Sequence, residues 1–96
     1  MLLACQKRGD MYYVYVLYSE KDKNFYIRCS SNLRLRYKEY SEGLVASTKR
    51  RRPMKLIYYE AYLIKENAER RELFYKSGRG RETLHKILQE TLSCLG

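Results

Sequence analysis

Residues 12–19 read Tyr-Tyr-Val-Tyr-Val-Leu-Tyr-Ser, eight positions in which Leu17 is the one good helix former. β-Branched and aromatic side chains fit a pleated surface, so this run predicts a β-strand. Glu20 to Asn24 is a polar turn, and Phe25 to Cys29 reads as a second strand close enough to close a hairpin with the first. A chain of 96 residues has surface for one hydrophobic core, so every later element must pack on that hairpin. Ser30, Ser31 and Asn32 are N-cap residue types ahead of Leu33 to Tyr40, where Leu33, Tyr37 and Tyr40 recur at helical spacing and Gly43 lies past the end. A helix is therefore expected over 32–41.

A basic loop, 44–53, contains Lys49-Arg50-Arg51-Arg52 and ends at Pro53. Residues 54–61 are strand-like through Leu56, Ile57, Tyr58 and Tyr59, and a second helix fits 65–76. Gly78-Arg79-Gly80 reads as a breaker before a short third helix near Glu82 to Leu92. The order β-β-α-β-α-α specifies an α+β domain with a small, three-stranded, mainly antiparallel sheet flanked by helices. Residues 1–10 are expected to be a disordered extension, 11–92 the domain and 93–96 a tail. Leu2-Leu3-Ala4-Cys5 imitates a lipoprotein cleavage box but lacks the apolar stretch that should precede it.

The chemistry is narrowed by charge. Twenty Lys and Arg against eleven Asp and Glu give +9, and the aromatics are eleven Tyr and two Phe with no Trp. Tyrosine joins an apolar ring to a polar tip, so a basic, Tyr-rich surface suits phosphates and bases. Three scattered cysteines and the single His85 form neither a disulfide framework nor a Cys/His zinc site. Reducing cytoplasm follows, and no apolar run reaches the roughly 20 residues that span a bilayer. A polyanion, not a membrane, is the expected partner.

Tyr13-Val14-Tyr15 and Tyr26-Ile27-Arg28 resemble the paired strand motifs of the GIY-YIG nuclease family, with key tyrosines 11 positions apart. Asn32-Leu33-Arg34-Leu35-Arg36 is similar to the family's helix segment ending in its arginine. The stretch from Ser47-Thr48-Lys49 to Glu60, with Ala68-Glu69-Arg70-Arg71-Glu72 and Lys76-Ser77-Gly78-Arg79-Gly80-Arg81, resembles the small, single-domain bacterial UPF0213-like branch. Five motifs in the correct order cover roughly residues 12–88.

The resemblance implies a metal-dependent DNA endonuclease, cytoplasmic and nucleoid-associated. Tyr15 would be the general base or would position the attacking water, and Tyr26 would orient water or phosphate. Arg36 would clamp the phosphate, with Tyr40 beside it as in the excision-repair branch, where the role is DNA repair. Glu72 would hold a single Mg²⁺ or Mn²⁺. Because a free tyrosine titrates near 10, a base role needs adjacent cationic charge. Nucleic-acid contacts are expected from Arg28, Lys49, Arg50, Arg51, Arg52, Arg79 and Arg81, on single-stranded or branched DNA chosen by shape and not by sequence.

Two departures stand out. Tyr13 and Arg28 occupy positions where the family usually has glycine. Arg28 is either a recruited phosphate ligand or a plug in the cleft, with obstruction the expected outcome for an added side chain in a compact site. The alternative to an enzyme is a catalytically weak GIY-YIG-derived nucleic-acid-binding module. The oligomeric state stays open.

Overall fold

The structure is a computed structural model that describes residues 11–95; the extension expected at 1–10 lies outside the described residues, as does Gly96. Three strands, β1 (Tyr12–Ser19), β2 (Phe25–Ser30) and β3 (Met54–Tyr62), form an antiparallel sheet in the order β2-β1-β3. The Tyr-Val run is central because it alone is apolar on both sides: Val14 through Ser19 are all buried. Alternation sends Val14, Val16 and Tyr18 to one core and Tyr15 and Leu17 to another.

Helix α1 (Leu33–Ser41) covers the Tyr15/Leu17 face through Leu33, Tyr37 and Tyr40. Asn32 caps it, its Oδ1 accepting from the Leu35 amide at 3.1 Å. Gly43 follows the C-terminus at φ +75°, the left-handed conformation that favours glycine. Helices α2 (Lys65–Lys76), α3 (Gly78–Ile87) and α4 (Gln89–Leu95) cover the opposite face, burying Tyr75, Leu84 and Leu88 there. The three strands and first two helices match the expected elements to within a residue. No described helix is long and apolar enough to cross a membrane.

Three local expectations need correction, the first being the single third helix near Glu82 to Leu92, which is two helices, α3 and α4, that meet at Leu88. Gly78-Arg79-Gly80 does not break the chain but opens α3, and the interruption is at Ser77 alone. The Ser77 hydroxyl oxygen accepts from the Gly80 amide at 3.1 Å, and a Cβ on Gly80 would overlap the Phe74 carbonyl. Gly80 therefore serves a tight α2–α3 crossing, whereas Gly78 faces open space. Residues 93–95, expected in the tail, lie in α4.

β3 contains an irregularity. Val16 faces Tyr58 while Leu17 faces Leu56, leaving Ile57 as an extra residue. Met54 and Leu56 thus pack on the α1 side, and Tyr58 and Tyr62 on the other. Glu60 shares the side of Tyr58. Its carboxylate receives the Tyr58 hydroxyl (2.6 Å), the Tyr62 hydroxyl (2.7 Å), Arg71 Nε (2.9 Å) and the Tyr75 hydroxyl. Burial alone would raise its pKa, but the four donors prevail and hold it at about 2. This polar cage pins β3 to α2.

Candidate active site

The α1 side of the sheet gathers four of the five expected catalytic side chains. Tyr15 lies opposite Arg28 on β2, and Tyr26 opposite Leu17, so both tyrosines point to one face. The ring centroids of Tyr15 and Tyr26 are 6.1 and 5.6 Å from that of Tyr40 on α1. Tyr15 and Tyr40 share a hydroxyl–hydroxyl bond of 2.9 Å. Arg36 lies 5.7 Å from the Tyr40 ring, pairs with Glu39 at 2.8 Å and acts on Tyr15 to lower its pKa.

Burial separates these groups by task. Tyr15 is 1% exposed and Tyr40 0%. Desolvation raises both phenol pKa values; at Tyr15 it outweighs the lowering by Tyr40 and Arg36, and at Tyr40 the bond from Tyr15 adds to it. The pair is therefore protonated at neutral pH and shielded from solvent. Its geometry suits holding Arg36.

Tyr26 is only partly buried, and its hydroxyl bonds the exposed Ser47 Oγ at 2.9 Å. Two guanidinium groups lie over its ring, Arg28 at 5.7 Å and Arg51 at 5.6 Å. Arg51 is anchored by Asp22 at 2.8 Å and by its carbonyl, which accepts from the Ser19 hydroxyl at 2.7 Å. Sequence reasoning did not single out Ser47 or Asp22. Ser47 stood in the quoted Ser-Thr-Lys stretch, whereas Asp22 carried no signal, because its partner is 29 residues away.

Glu72, the fifth expected residue, reaches the sheet from the other side. Its Oε1 accepts from the Cys29 thiol at 3.1 Å and its Oε2 from Lys76 Nζ at 2.6 Å. Desolvation raises its pKa, but Lys76 and Cys29 outweigh that and, with the Arg28 charge, lower it, so the carboxylate is ionised. The same carboxylate, after burial itself, pushes the Cys29 thiol up to about 11. Arg28 thus faces Tyr26 on one side and the field of Glu72 on the other.

No group of three or more His, Cys, Asp or Glu gathers among the described residues. An ionised single carboxylate still fits Mg²⁺, which commonly takes one or two carboxylates and completes its shell with water and phosphate oxygens. Lys76 would have to release Oε2.

The expected basic residues divide. Lys49, Arg50 and Arg52 line an open groove of about 510 Å³ with Lys21. Arg52 also bonds the Ser41 carbonyl at 3.3 Å, at the end of α1. Arg79 and Arg81 are exposed on α3, the layer opposite α1, away from the tyrosine cluster.

The chain is 34% identical over 83 residues to a UPF0213 protein of Clostridium perfringens (strain 13 / Type A), covering 85% of this chain and 88% of the relative. It is also 34% identical over 71 residues to a UPF0213 protein of Limosilactobacillus reuteri (strain DSM 20016), covering 71% and 73%. No solved structure gives a significant match. The profile of the GIY-YIG catalytic domain matches residues 11–85, which span the hairpin, α1, β3, α2 and most of α3. With the paired strand tyrosines and the α1 arginine in place, the chain belongs to the GIY-YIG nuclease family.

Proposed function

We propose that the protein is a metal-dependent DNA endonuclease acting on single-stranded or branched DNA in the cytoplasm. The observation that carries this reading is Tyr26, its hydroxyl on the exposed Ser47 and two guanidinium groups over its ring, backed by the buried Tyr15–Tyr40 pair with Arg36 beside the Tyr40 ring. A phosphate entering at Tyr26 meets Arg28 and Arg51, whose charge offsets the negative charge that grows on the phosphorane. Tyr26 and Ser47 hold the attacking water. Arg36, positioned by Tyr15, Tyr40 and Glu39, supplies a third cation from the helix side. Glu72, once released by Lys76, would hold Mg²⁺ or Mn²⁺, and the ion would supply Lewis-acid charge to the leaving oxygen. Lys49 and Arg50 hold flanking phosphates.

This assignment moves substrate contact from Tyr15 to Tyr26, because a fully buried hydroxyl does not meet a water and a phosphate. It also takes Arg28 as a phosphate ligand, since an exposed guanidinium on a ring face is free to swing toward an incoming anion. The contrary observation is that Lys76 already neutralises Glu72 beside Arg28, which favours the binding-module reading.

A cleavage assay on single-stranded, duplex and branched DNA with Mg²⁺, Mn²⁺ or chelator decides between them. An endonuclease cleaves only with metal and loses that activity in Tyr26→Phe and Glu72→Ala. Retained DNA binding without cleavage in any metal identifies the binding module.

A further inference from the structure

Tyr13 stands where the family usually has glycine, and no step assigned above uses it. Its side chain lines a cavity of about 470 Å³ bounded by β1, β3 and α1, within the roughly 300–1,000 Å³ of small-molecule sites. Tyr59 stands edge-on to it, ring centroids 5.8 Å apart and planes at 68°. Tyr37 and Leu33 add apolar surface, and Asn32 and Arg34 add polar and cationic groups. Tyr59 is 52% exposed, a large ring left open to water.

Position relates this cavity to the active site. Leu33 and Tyr37 also pack against the Tyr15–Tyr40 cluster, so the two share a wall. Tyr13 is two residues from Tyr15 on the same face of β1. Tyr26 and Arg28 lie on the β2 side of that face and the cavity on the β3 side, where the exposed Arg34 at the start of α1 lines it. A nucleic-acid backbone crossing that first turn meets cationic charge along its path.

We propose that this cavity stacks an unpaired nucleobase flanking the scissile phosphate, so that the protein selects DNA with unpaired bases. Aromatic side chains stack on any base, which gives affinity without sequence preference, and the +9 charge attracts the backbone. A duplex keeps its bases stacked inside and offers the cavity nothing. The inference rests on the nuclease reading for its substrate, but binding tests it separately from cleavage.

The protein is titrated, in chelator, with a single-stranded oligonucleotide carrying a fluorescent adenine analogue and with the blunt duplex of the same sequence. The analogue should be quenched on the single strand alone. Tyr13→Gly and Tyr59→Ala should each weaken single-strand binding by about tenfold, remove the quench and leave duplex binding unchanged. Tyr13→Phe keeps the ring and should behave as wild type. Tyr59 is exposed, so its variant reports even where Tyr13→Gly fails to fold. Unchanged single-strand binding in Tyr59→Ala, or equal loss on both DNAs, overturns the proposal. Cleavage measured in parallel with Mg²⁺ bears on the nuclease reading alone: quenching without cleavage sinks that reading and leaves the base site intact.

Discussion

Replacing Glu60 by glutamine should remove the strongest polar tie between β3 and α2. The carboxylate is 15% exposed and accepts from three tyrosine hydroxyls and Arg71. Burial opposes its ionisation, yet the donors lower its pKa from 4.5 to about 2. At 1.36 kcal/mol per unit, that differential is about 3 kcal/mol at neutral pH. A depressed folded-state pKa stabilises above the unfolded value and loses that stabilisation as pH falls through the folded one. The wild type should therefore lose about 3 kcal/mol between pH 4.5 and pH 2, while Glu60→Gln, with nothing to titrate there, lacks this step. Glutamine also brings an NH₂ toward Arg71 and the hydroxyls, so the neutral-pH loss is of the same size, roughly 10–20 °C in Tm for a domain this small. Urea unfolding followed by circular dichroism from pH 7 to pH 2 measures both effects. Stability of Glu60→Gln within about 0.5 kcal/mol of wild type at pH 7, or parallel pH profiles, would refute the reasoning.

Arg28→Gly should lower metal-dependent cleavage by about 10²-fold, the usual cost of one charged transition-state donor, at equal folded concentration; a rise in activity identifies a plug instead. Neutralising Lys49 and Arg50 together should flatten the salt dependence of DNA binding by roughly 1.5 in log–log slope and affect all sequences equally; an unchanged slope removes the groove from the interface. These two are cleaner targets than Arg51 and Arg52, which are held by Asp22 and by the end of α1. Gly80→Ala should destabilise by about 2 kcal/mol or more through collision with the Phe74 carbonyl, whereas Gly78→Ala, which meets open space, should change stability little; equal effects in thermal melts contradict the tight crossing.

Local signals carried much of this protein. The Tyr-Val run is apolar at every position from 12 to 18, and only a central strand covered on both faces uses such a run. The Asn32 cap, the Leu33/Tyr37/Tyr40 spacing and Gly43 marked α1 at both ends, because caps and periodicity act within a turn or two of chain. The family motifs were legible for the same reason: each is a short run of consecutive residues.

Long-range packing settled the rest. Tyr15 and Tyr26 look alike along the chain, yet Tyr40, 25 residues beyond Tyr15, closes over one and leaves the other accessible at its hydroxyl. The extra residue at Ile57 reverses which side of β3 faces α1, so simple alternation from Leu56 would assign Tyr58 and Glu60 to the wrong core. Gly78 and Gly80 read as a breaker because glycine commonly is one; only the approach of the Phe74 carbonyl shows why a helix needs Gly80. The four-residue basic run likewise separates into anchored and open members only when Asp22 and the Ser41 carbonyl arrive from elsewhere. Except at Gly80, whose contact is six residues away across a turn, the deciding contact is distant in sequence, and residue type or spacing carries no record of it.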